Sequence, residues 1–531
     1  MLFNSITFLV LFLPLSLLFY YLLGCFHMNA AKLWLVVVSF LFYGWWNPQF
    51  LILLMTSILF NYGCGYLIQV FEERTRVSSI LLAIGIVVNL WALFFYKYLL
   101  TLMNWLHDLG LIHAHSWGSV VLPLGIAFFT FTQIGFLIDA QSGNAKERGF
   151  LEYVLFVTFF PHLIAGPILH HREIMPQFVK KETYLIYWEN VIVGISIFIL
   201  GLGKKVLIAD QIAPIADDIF RHTADKHMVE AWVGVFAYSF QLYFDFAGYS
   251  EMALGLARMF NVKFPANFDS PFKSQSIIDF WNRWHISLTR YFTLYLYNPL
   301  SLWIMRQRTA SGLPMLRAGE TTWKYFLIVL ALPTSYTMIL MGVWHGAGFQ
   351  FFIFGLLNAF YLCINHAWRL FGPKVSKVSG SRLRSWFEGA WGWGLTYLSI
   401  SIALIFFRAK STTDAFLLIR SMFGGGTGDS PGGAQGVVES ILDYFGVAVP
   451  YWNYSNALIT LAFLFAFILC LPNVLQLFEK EETSLTKVRS APAFFSFQWR
   501  PNILWGCFLA ILALADLLMV TGTSEFLYFK F

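Results

Sequence analysis

The chain alternates between apolar blocks of about 20 residues and short polar segments. A helix of this length crosses a hydrocarbon core of roughly 30 Å, so each block predicts a transmembrane or re-entrant helix. We therefore expect an all-α polytopic membrane protein with about 11–13 such helices, folded as a single domain over residues 1–531. The predicted spans are 5–24, 31–46, 50–70, 79–100, 119–139, 151–169, 191–209, 230–249, 325–343, 349–370, 391–407, 455–471 and 503–521.

Two places in this pattern contain residues that interrupt helices. The first runs from Phe160 to Pro167 and includes Pro161 and Gly166, and the second is Trp344-His345-Gly346. Non-helical backbone at membrane depth is stable only where it is buried in protein or lines a cavity. These segments are therefore the best candidates for helix breaks inside the protein.

The pattern changes between residues 250 and 324, where charges are interleaved among aromatic residues. This segment predicts interfacial or re-entrant helices, lying at the membrane surface or folded into the protein interior. A glycine-rich stretch, residues 424–433, follows much later. It has no preceding strand and no Lys-Ser or Lys-Thr to close a phosphate loop, so we expect a flexible solvent loop.

Composition strengthens the membrane interpretation. Of the 531 residues, 58% are hydrophobic and 12% are charged, whereas soluble domains usually carry roughly 25% charged residues. The net charge of +6 comes from short clusters between apolar blocks, which is typical of loops that orient helices and not of a nucleic-acid surface. The five cysteines are scattered and predict neither a disulfide framework nor a metal site.

His345 is the first candidate for chemistry. It lies in Met341 to Gly348, between two apolar blocks. An ionisable residue at membrane depth is costly and suggests a function, and imidazole is the natural general base near neutral pH. The glycines around it allow close approach of backbone or substrate. The alternative is a neutral histidine hydrogen-bonded to a neighbouring helix, and both interpretations fit this segment.

His285 ends a segment with helical spacing that begins at Asp279. Taken alone, His285 is interpreted as a packing or interfacial residue. Asp279 and Arg283 are four residues apart and can pair along one helix face. We expect the Arg283 guanidinium to be paired, with Asp279 or Asp245, and to hold the His285 helix in place.

Asp245 lies in an aromatic run, where a carboxylate needs a partner. It can orient a histidine, pair with Arg283 or Lys205, or be capped by local hydroxyls. No pair of histidines has a zinc spacing supported by a cysteine or carboxylate partner, so no metal site is predicted. No Gly-x-Ser-x-Gly motif predicts a serine nucleophile.

Together these segments resemble the membrane-bound O-acyltransferase family, and most of all its bacterial branch containing the membrane subunit of alginate O-acetylation. The resemblance runs over nearly the whole chain, with the motifs in the order of the family. The motifs are Phe3-Asn4-Ser5, Phe160 to Pro167, Gly203 to Asp210, Leu242 to Glu251, Phe280 to Leu288, Gly342 to Gly346, and Phe526 to Phe531.

The resemblance implies a ring of helices around a thinned centre, with a tunnel joining the two membrane faces. It also implies that His345 is the catalytic histidine, that His285 is a second functional histidine, and that Asp245 is a supporting polar residue. Further supporting residues, from the two histidine motifs, are Asn282, Arg283 and Trp344.

The segment after His285 departs from the alginate branch. Leu288-Thr289-Arg290 and then Thr293 to Ser301 stand where that branch has an acidic residue and a glycine pair. Asn282 is closer to the branch that transfers D-alanine to teichoic acid.

The resemblance therefore predicts an O-acyltransferase, most simply an O-acetyltransferase acting on a cell-surface polysaccharide such as alginate. A cytoplasmic thioester, acetyl-CoA, is the expected donor substrate; no permanently bound cofactor is expected, and no cofactor-binding residue is predicted. The expected partners are an extracytoplasmic acetyltransferase of the SGNH-hydrolase type, the polysaccharide acceptor and membrane lipids, with no nucleic acid. The expected location is the bacterial cytoplasmic (inner) membrane.

Three alternatives are D-alanyl-type transfer to teichoic acid, a proton-coupled transporter, and a non-catalytic scaffold of a polysaccharide export complex. Buried histidines and an aspartate also suit proton coupling. A transporter should show repeat symmetry, and the sequence has no internal repeat. A scaffold would tolerate loss of His345, whereas an enzyme would not.

Overall fold

The protein is helical throughout the part of the chain that the computed structural model describes. Outside the helices, these residues form one isolated β-bridge, between Phe264 and Ser484. The predicted all-α fold is therefore confirmed. The described residues are 1–72, 74–112, 121–145, 149–313, 322–372, 382–426, 454–486, 494–495, 497–520 and 526–527.

The helices are numbered here in chain order. They are α1 (Phe8–Phe26), α2 (Met28–Gly44), α3 (Gln49–Val70), α4 (Thr75–Lys97), α5 (Leu99–Asp108), α6 (Ile126–Gln141), α7 (Phe150–Thr158), α8 (Phe160–Leu163), α9 (His171–Val179), α10 (Trp188–Arg221), α11 (Met228–Met259), α12 (Ile277–Trp281), α13 (Ile286–Phe292), α14 (Asn298–Ala310), α15 (Trp323–His345), α16 (Phe349–Phe371), α17 (Arg382–Arg408), α18 (Thr412–Met422), α19 (Tyr454–Cys470), α20 (Val474–Leu477) and α21 (Ile503–Met519). Short 3₁₀ helices lie at Lys181–Tyr184, Pro271–Lys273 and Glu479–Glu481, and π-helical turns at Phe8–Phe12, Lys204–Ala209, Thr293–Tyr297 and Phe326–Ala331.

Seven of the described helices are long and apolar enough to cross a membrane: α1, α3, α4, α10, α15, α16 and the Trp386–Arg408 part of α17. Shorter apolar helices correspond to α2, α6, α21 and the Asn456–Cys470 part of α19. Large apolar side chains such as Val10, Ile52 and Trp91 are exposed on the outer faces of these helices. Such faces are stable against lipid, and the prediction of a multi-pass membrane protein is confirmed.

The centre of the molecule is α11, which is buried along nearly its whole length. The predicted span 230–249 lies in this helix and contacts protein instead of lipid. Helices α10 and α11 cross at two glycine pairs. A Cβ atom at Gly194 would lie 2.6 Å from Gly255 O, and one at Gly201 would lie 2.7 Å from Gly248 O. Only glycine permits backbones to approach this closely.

The predicted span 151–169 is interrupted, as its prolines and glycine indicated. Helix α7 ends at Thr158, the short helix α8 follows, and residues 164–170 cross the interior without helical structure. Gly125, with φ of +72°, lies against this segment, and a Cβ atom there would be 2.9 Å from Leu163 O. The break is therefore buried in protein, as non-helical backbone at membrane depth requires.

The segment 250–324 folds into the interior of the protein. After α11 the chain runs through residues 264–270 without helical structure and then forms α12, α13 and α14. Its large side chains Trp281, Trp284 and Leu288 are buried in the same hydrophobic cluster as those of α11. Residues 427–433 of the predicted glycine-rich loop lie outside the described residues, and the single domain over 1–531 stays a prediction.

Candidate active site

His345 is the last residue of α15, where the chain turns through Gly346 to Gly348 into α16. Two glycines near His345, Gly342 in α15 and Gly346 in the turn, have a packing function. A Cβ atom at Gly342 would overlap the backbone of α16 at Phe351, and one at Gly346 would overlap the Phe351 ring. The close contact of α15 with α16 therefore fixes the position of His345.

The imidazole of His345 is buried among aromatic rings, with the residue only 5% exposed. Its ring centroid lies 5.0 Å from that of Phe407 and 6.1 Å from that of Phe354, both in edge-on contacts. Trp344 packs beside it at 4.8 Å. These rings form apolar walls around the imidazole.

Lys97, at the end of α4, fixes the end of α15. Its ammonium donates hydrogen bonds to Trp344 O at 2.7 Å and to His345 O at 2.8 Å. The Tyr98 hydroxyl donates to Val343 O at 2.8 Å. The last carbonyls of a helix have no partner within the helix, and a cation there also interacts favourably with the helix dipole. Sequence analysis missed Lys97, although a lone cation within the apolar block 79–100 was a usable signal.

His285 belongs to a hydrogen-bonded chain of buried polar groups. Its Nδ1 atom lies 2.9 Å from Asn267 Oδ1, which also accepts a hydrogen bond from the Ser287 hydroxyl at 2.9 Å. The Ser287 hydroxyl accepts from the Ile168 amide at 2.9 Å. The Asn267 amide group donates to the Ser250 hydroxyl at 3.0 Å.

This arrangement defines the tautomer of His285. Because Asn267 Oδ1 can only accept, the imidazole proton lies on Nδ1 and the lone pair on Nε2. His285 lies outside the candidate membrane spans, and burial lowers its pKa to about 3, so the ring is neutral at physiological pH. A neutral imidazole is the form that accepts a proton.

The backbone around His285 is held in a turn that requires support. His285 has φ 44° and ψ 53°, a left-handed conformation that side-chain-bearing residues adopt at a cost. The Ile286 amide donates to Asn267 O at 2.9 Å, and the Asp269 amide donates to Arg283 O at 3.0 Å. Residues 267–269 therefore run beside the turn and hold the His285 ring in place.

The fold brings the two histidines together. His285 and Lys97 lie within electrostatic range of the His345 imidazole. The Phe246 ring, from α11, packs against the His285 ring in a T-shaped contact with centroids 4.7 Å apart. Two buried imidazoles from segments distant in sequence therefore lie in the same part of the helical assembly.

Asp245 has a different set of contacts. Its Oδ1 atom pairs with Lys205 Nζ at 2.6 Å, and Oδ2 accepts a hydrogen bond from the Leu527 amide at 2.8 Å. Lys205 also pairs with Asp210 at 2.8 Å. Of the partners considered for Asp245, the structure shows Lys205. These contacts connect α10, α11 and residue 527 near the chain end.

Arg283 is paired on two sides. Its Nε atom donates to Asp279 at 2.9 Å, as the spacing of four residues predicted, whereas the alternative partner Asp245 pairs with Lys205. Its Nη1 atom also pairs at 3.0 Å with Asp269, whose side chain is fully buried. Arg283 therefore joins α12 to the segment beside His285.

The other two supporting residues lie in different environments. Trp344 is buried and packs against Phe128 and Phe131, with ring centroids 5.6 and 5.4 Å away. Asn282 is exposed in the turn after α12. The functional roles of both residues stay predictions.

A cavity of about 1120 Å³ lies beside His345. Trp344 and Gly346, on either side of that histidine, form part of its wall. Most of its lining is apolar and comes from α4, α5, α6 and α15, with Tyr291 and Tyr295 among the polar contributions. The cavity is large enough to hold a substrate next to the histidine turn.

Comparison with known proteins identifies the family of this chain. Residues 137–312 match the model of the membrane-bound O-acyltransferase family. The peptidoglycan O-acetyltransferase of Helicobacter pylori is 36% identical over 460 residues, covering 80% of each chain. The probable alginate O-acetylase of Pseudomonas aeruginosa is 36% identical over 435 residues, covering 80% of this chain and 76% of that protein.

A second group of relatives matches a shorter region. The teichoic acid D-alanyltransferase of Bacillus subtilis is 32% identical over 253 residues, covering 47% of this chain and 61% of that protein. Both groups transfer acyl groups, and the long matches to O-acetylating proteins extend over most of the chain. The chain therefore belongs to the membrane-bound O-acyltransferase family, and it is an O-acyltransferase embedded in a membrane by several helices.

Proposed function

We propose that this acyltransferase moves an acetyl group from a cytoplasmic thioester, acetyl-CoA, across the membrane for O-acetylation of a cell-surface polysaccharide. The observation that carries the proposal is the burial of His345 and His285 within electrostatic range of each other, with Trp344 and Gly346, on either side of His345, in the wall of a large cavity. The long matches to proteins named for alginate and peptidoglycan O-acetylation support the acetyl group and the glycan acceptor.

His345 acts as the base in this proposal. A hydroxyl oxygen attacks the thioester carbonyl, the C–S bond breaks, and the hydroxyl proton passes to the imidazole. The leaving thiolate then takes that proton and departs as the thiol, so the base is regenerated. A variant of the same scheme places the acyl group briefly on the imidazole nitrogen before the acceptor arrives.

His285 and Lys97 support this chemistry without taking part in the bonds that form and break. With its proton on Nδ1, His285 presents the Nε2 lone pair and can accept a hydrogen bond from the acceptor hydroxyl. Lys97 holds the carbonyl of His345 and so keeps its ring in place. In this proposal the acyltransferase lies in the bacterial cytoplasmic membrane. A partner of the SGNH-hydrolase type on the outer side of that membrane receives the acetyl group or helps to deliver it.

D-alanyl transfer to teichoic acid is the second candidate. The identity to a teichoic acid D-alanyltransferase supports it, but that match covers 47% of this chain, against 80% for the proteins named for O-acetylation. O-acetylation is therefore the better-supported reaction.

The experiment compares acetate released by base from purified surface polysaccharide in strains with matched membrane levels of each variant. General-base catalysis contributes about 10²–10⁴-fold, so His345→Ala should abolish detectable acetate. His345→Gln should not rescue, because an amide cannot take the proton. His285→Ala should have a milder effect.

His107→Ala is the control, because His107 is exposed on α5 and its loss should leave acetate at the wild-type level. Near-normal acetate in His345→Ala would contradict catalysis at this residue and favour a scaffold. Release of D-alanine instead of acetate would establish the second candidate.

A further inference from the structure

Four metal-ligand groups meet at a point away from the two catalytic histidines. Asp139 Oδ2 lies 2.8 Å from His170 Nε2 and 3.2 Å from His171 Nε2. The Tyr295 hydroxyl lies 2.6 Å from the same carboxylate oxygen and 2.9 Å from His170 Nε2. Among the described residues, this is the one group of three or more histidine, cysteine or acidic side chains whose ligand atoms converge in this way.

The cluster joins three separate elements. Asp139 lies near the end of α6, His170 and His171 lie where the buried break leads into α9, and Tyr295 lies in the π-helical turn between α13 and α14. The His171 side chain is 1% exposed and that of Asp139 is 9% exposed. Because the carboxylate and the histidines are distant in sequence, no spacing motif could reveal them.

The donor set is that of a transition-metal site. Two imidazole nitrogens, a carboxylate oxygen and a phenol oxygen suit divalent first-row ions such as zinc and iron. Ligands about 2.0–2.1 Å from a tetrahedral zinc ion lie about 3.3 Å from one another. The four contacts observed here, between 2.6 and 3.2 Å, approach that separation and need only a small expansion.

Hydrogen bonds alone do not explain all four contacts in the cluster, because there are fewer protons than contacts. Two imidazole N–H groups and one phenol O–H group can all donate to Asp139 Oδ2. When all three protons point to Asp139 Oδ2, none remains for the contact of 2.9 Å between Tyr295 Oη and His170 Nε2. A cation at the centre, bound by four lone pairs, satisfies all four groups together.

We propose that Asp139, His170, His171 and Tyr295 bind one divalent first-row transition-metal ion. The ion would tie α6 and α9 to the π-helical turn. Tyr295 and Ile138, next to Asp139, both line the cavity beside His345, so the ion stabilises one wall of that cavity. The proposal concerns binding at this cluster and does not depend on the acyl-transfer reaction.

The test measures metal content in the full-length protein, purified in detergent with an affinity tag that contains no histidine. Elemental analysis should find about one zinc or iron ion per chain. After removal of the ion with a chelator, added Zn²⁺ should restore it and raise the melting temperature, because a ligand that binds only the folded state stabilises that state. Added Co²⁺ should give the visible absorption of a four-coordinate site.

Two variants separate the ion from the hydrogen bonds. His170→Gln keeps an N–H donor for Asp139 but removes an imidazole ligand, and it should lower bound metal at least about tenfold while the protein stays folded. Asp139→Asn should do the same. His222→Gln is the control, because His222 is exposed and lies in a different part of the chain, and it should keep the full metal content.

Wild-type protein that holds no metal, and gains neither bound Zn²⁺ nor a higher melting temperature, would show that the cluster is a hydrogen-bonded one. Equal loss of metal in His222→Gln would also overturn the proposal, because the ion would then be bound nonspecifically at the surface.

Discussion

At the scale of single residues, the chemistry of a buried neutral imidazole depends on which ring nitrogen carries the proton, because only the other nitrogen can accept one. Asn267 sets the tautomer of His285, because its side-chain oxygen accepts hydrogen bonds from both Nδ1–H and the Ser287 hydroxyl. The backbone oxygen of Asn267 also holds the turn at Ile286. One residue therefore sets both the tautomer and the position of the ring.

Substitution of Asn267 should change the pH dependence of acyl transfer. Asn267→Asp keeps an acceptor for Nδ1 but places a negative charge beside the ring, which stabilises the imidazolium and raises the pKa of His285. Because the neutral ring is the active form, the acidic limb of the pH–rate profile should move to higher pH. Asn267→Leu should lower the rate by about 10- to 100-fold at every pH. The measurement is acetyl transfer by isolated membranes between pH 3 and pH 9, a range that includes the His285 pKa of about 3, and an unchanged profile in Asn267→Asp would contradict the assigned tautomer.

Substitution of Lys97 should loosen the end of α15. Lys97→Met leaves the carbonyls of Trp344 and His345 without their donor, which costs about 1–3 kcal/mol for buried polar groups. We expect a lower melting temperature and a marked loss of acetate transfer, with partial recovery in Lys97→Arg. Lys324→Met makes the same charge change at the exposed start of α15 and should have little effect. Wild-type activity in Lys97→Met would show that the helix end is held by other contacts.

At the scale of elements, the local pattern predicts where helices begin and end better than it predicts what they face. The interruptions at 160–167 and 344–346 were visible because prolines and glycines act locally. The span 230–249 was predicted as a transmembrane or re-entrant helix without any indication of what it contacts, and α11 is buried in protein. The length of an apolar block indicates whether a helix can cross the membrane. Whether that helix contacts lipid or protein depends on the arrangement of the neighbouring helices.

The same limit applies to the candidate site. The histidines were recognised from the residues that flank them, and the pairing of Arg283 with Asp279 follows from helix geometry. Asn267 and Asp269 were missed because their partners come from elsewhere in the chain and only the fold brings them together. The charge of Lys97 inside an apolar block was a signal, but its partners, the carbonyls at the end of α15, are visible only in the fold.

Arg283 connects two elements, so its loss should affect stability and activity together. Arg283→Ala leaves the buried carboxylate of Asp269 without its cation, and breaking a buried pair costs roughly 3–5 kcal/mol. We expect a lower yield, a lower melting temperature in detergent and reduced acetate transfer. Arg306→Ala, at an exposed position of α14, should match the wild type in all three. Lost activity with wild-type stability would mean that Arg283 contacts substrate instead.

At the scale of the whole molecule, a residue near the chain end is tied to the central helix. The Leu527 amide donates to Asp245, and the Phe526 ring stacks on Tyr249 with centroids 4.7 Å apart. Asp245 in turn pairs with Lys205 of α10. One carboxylate therefore holds three distant parts of the chain together.

This connection can be tested through a single backbone proton. Leu527→Pro removes the amide hydrogen as well as the side chain, whereas Leu527→Ala removes only the side chain. The proline variant should be less stable than the alanine variant by about 1–3 kcal/mol, because a buried charged acceptor loses a donor. Thermal unfolding in detergent, followed by fluorescence, compares the two. Equal melting temperatures would show that the hydrogen bond to Asp245 contributes little.

The charge pairs between α10 and α11 also affect how the protein is made. Lys205 pairs with Asp245, and Lys204 pairs with Glu251, across the glycine crossing of the two helices. A charged residue near the centre of a lone helix costs about 2.5–3.5 kcal/mol during insertion by the translocon. Insertion of either helix alone into lipid therefore has a high free-energy cost. When both helices insert together, their charges are paired and the cost is lower. We therefore expect the two segments to leave the translocon as one helical hairpin, with α10, which is synthesised first, held beside the channel until α11 emerges and neutralises its lysines.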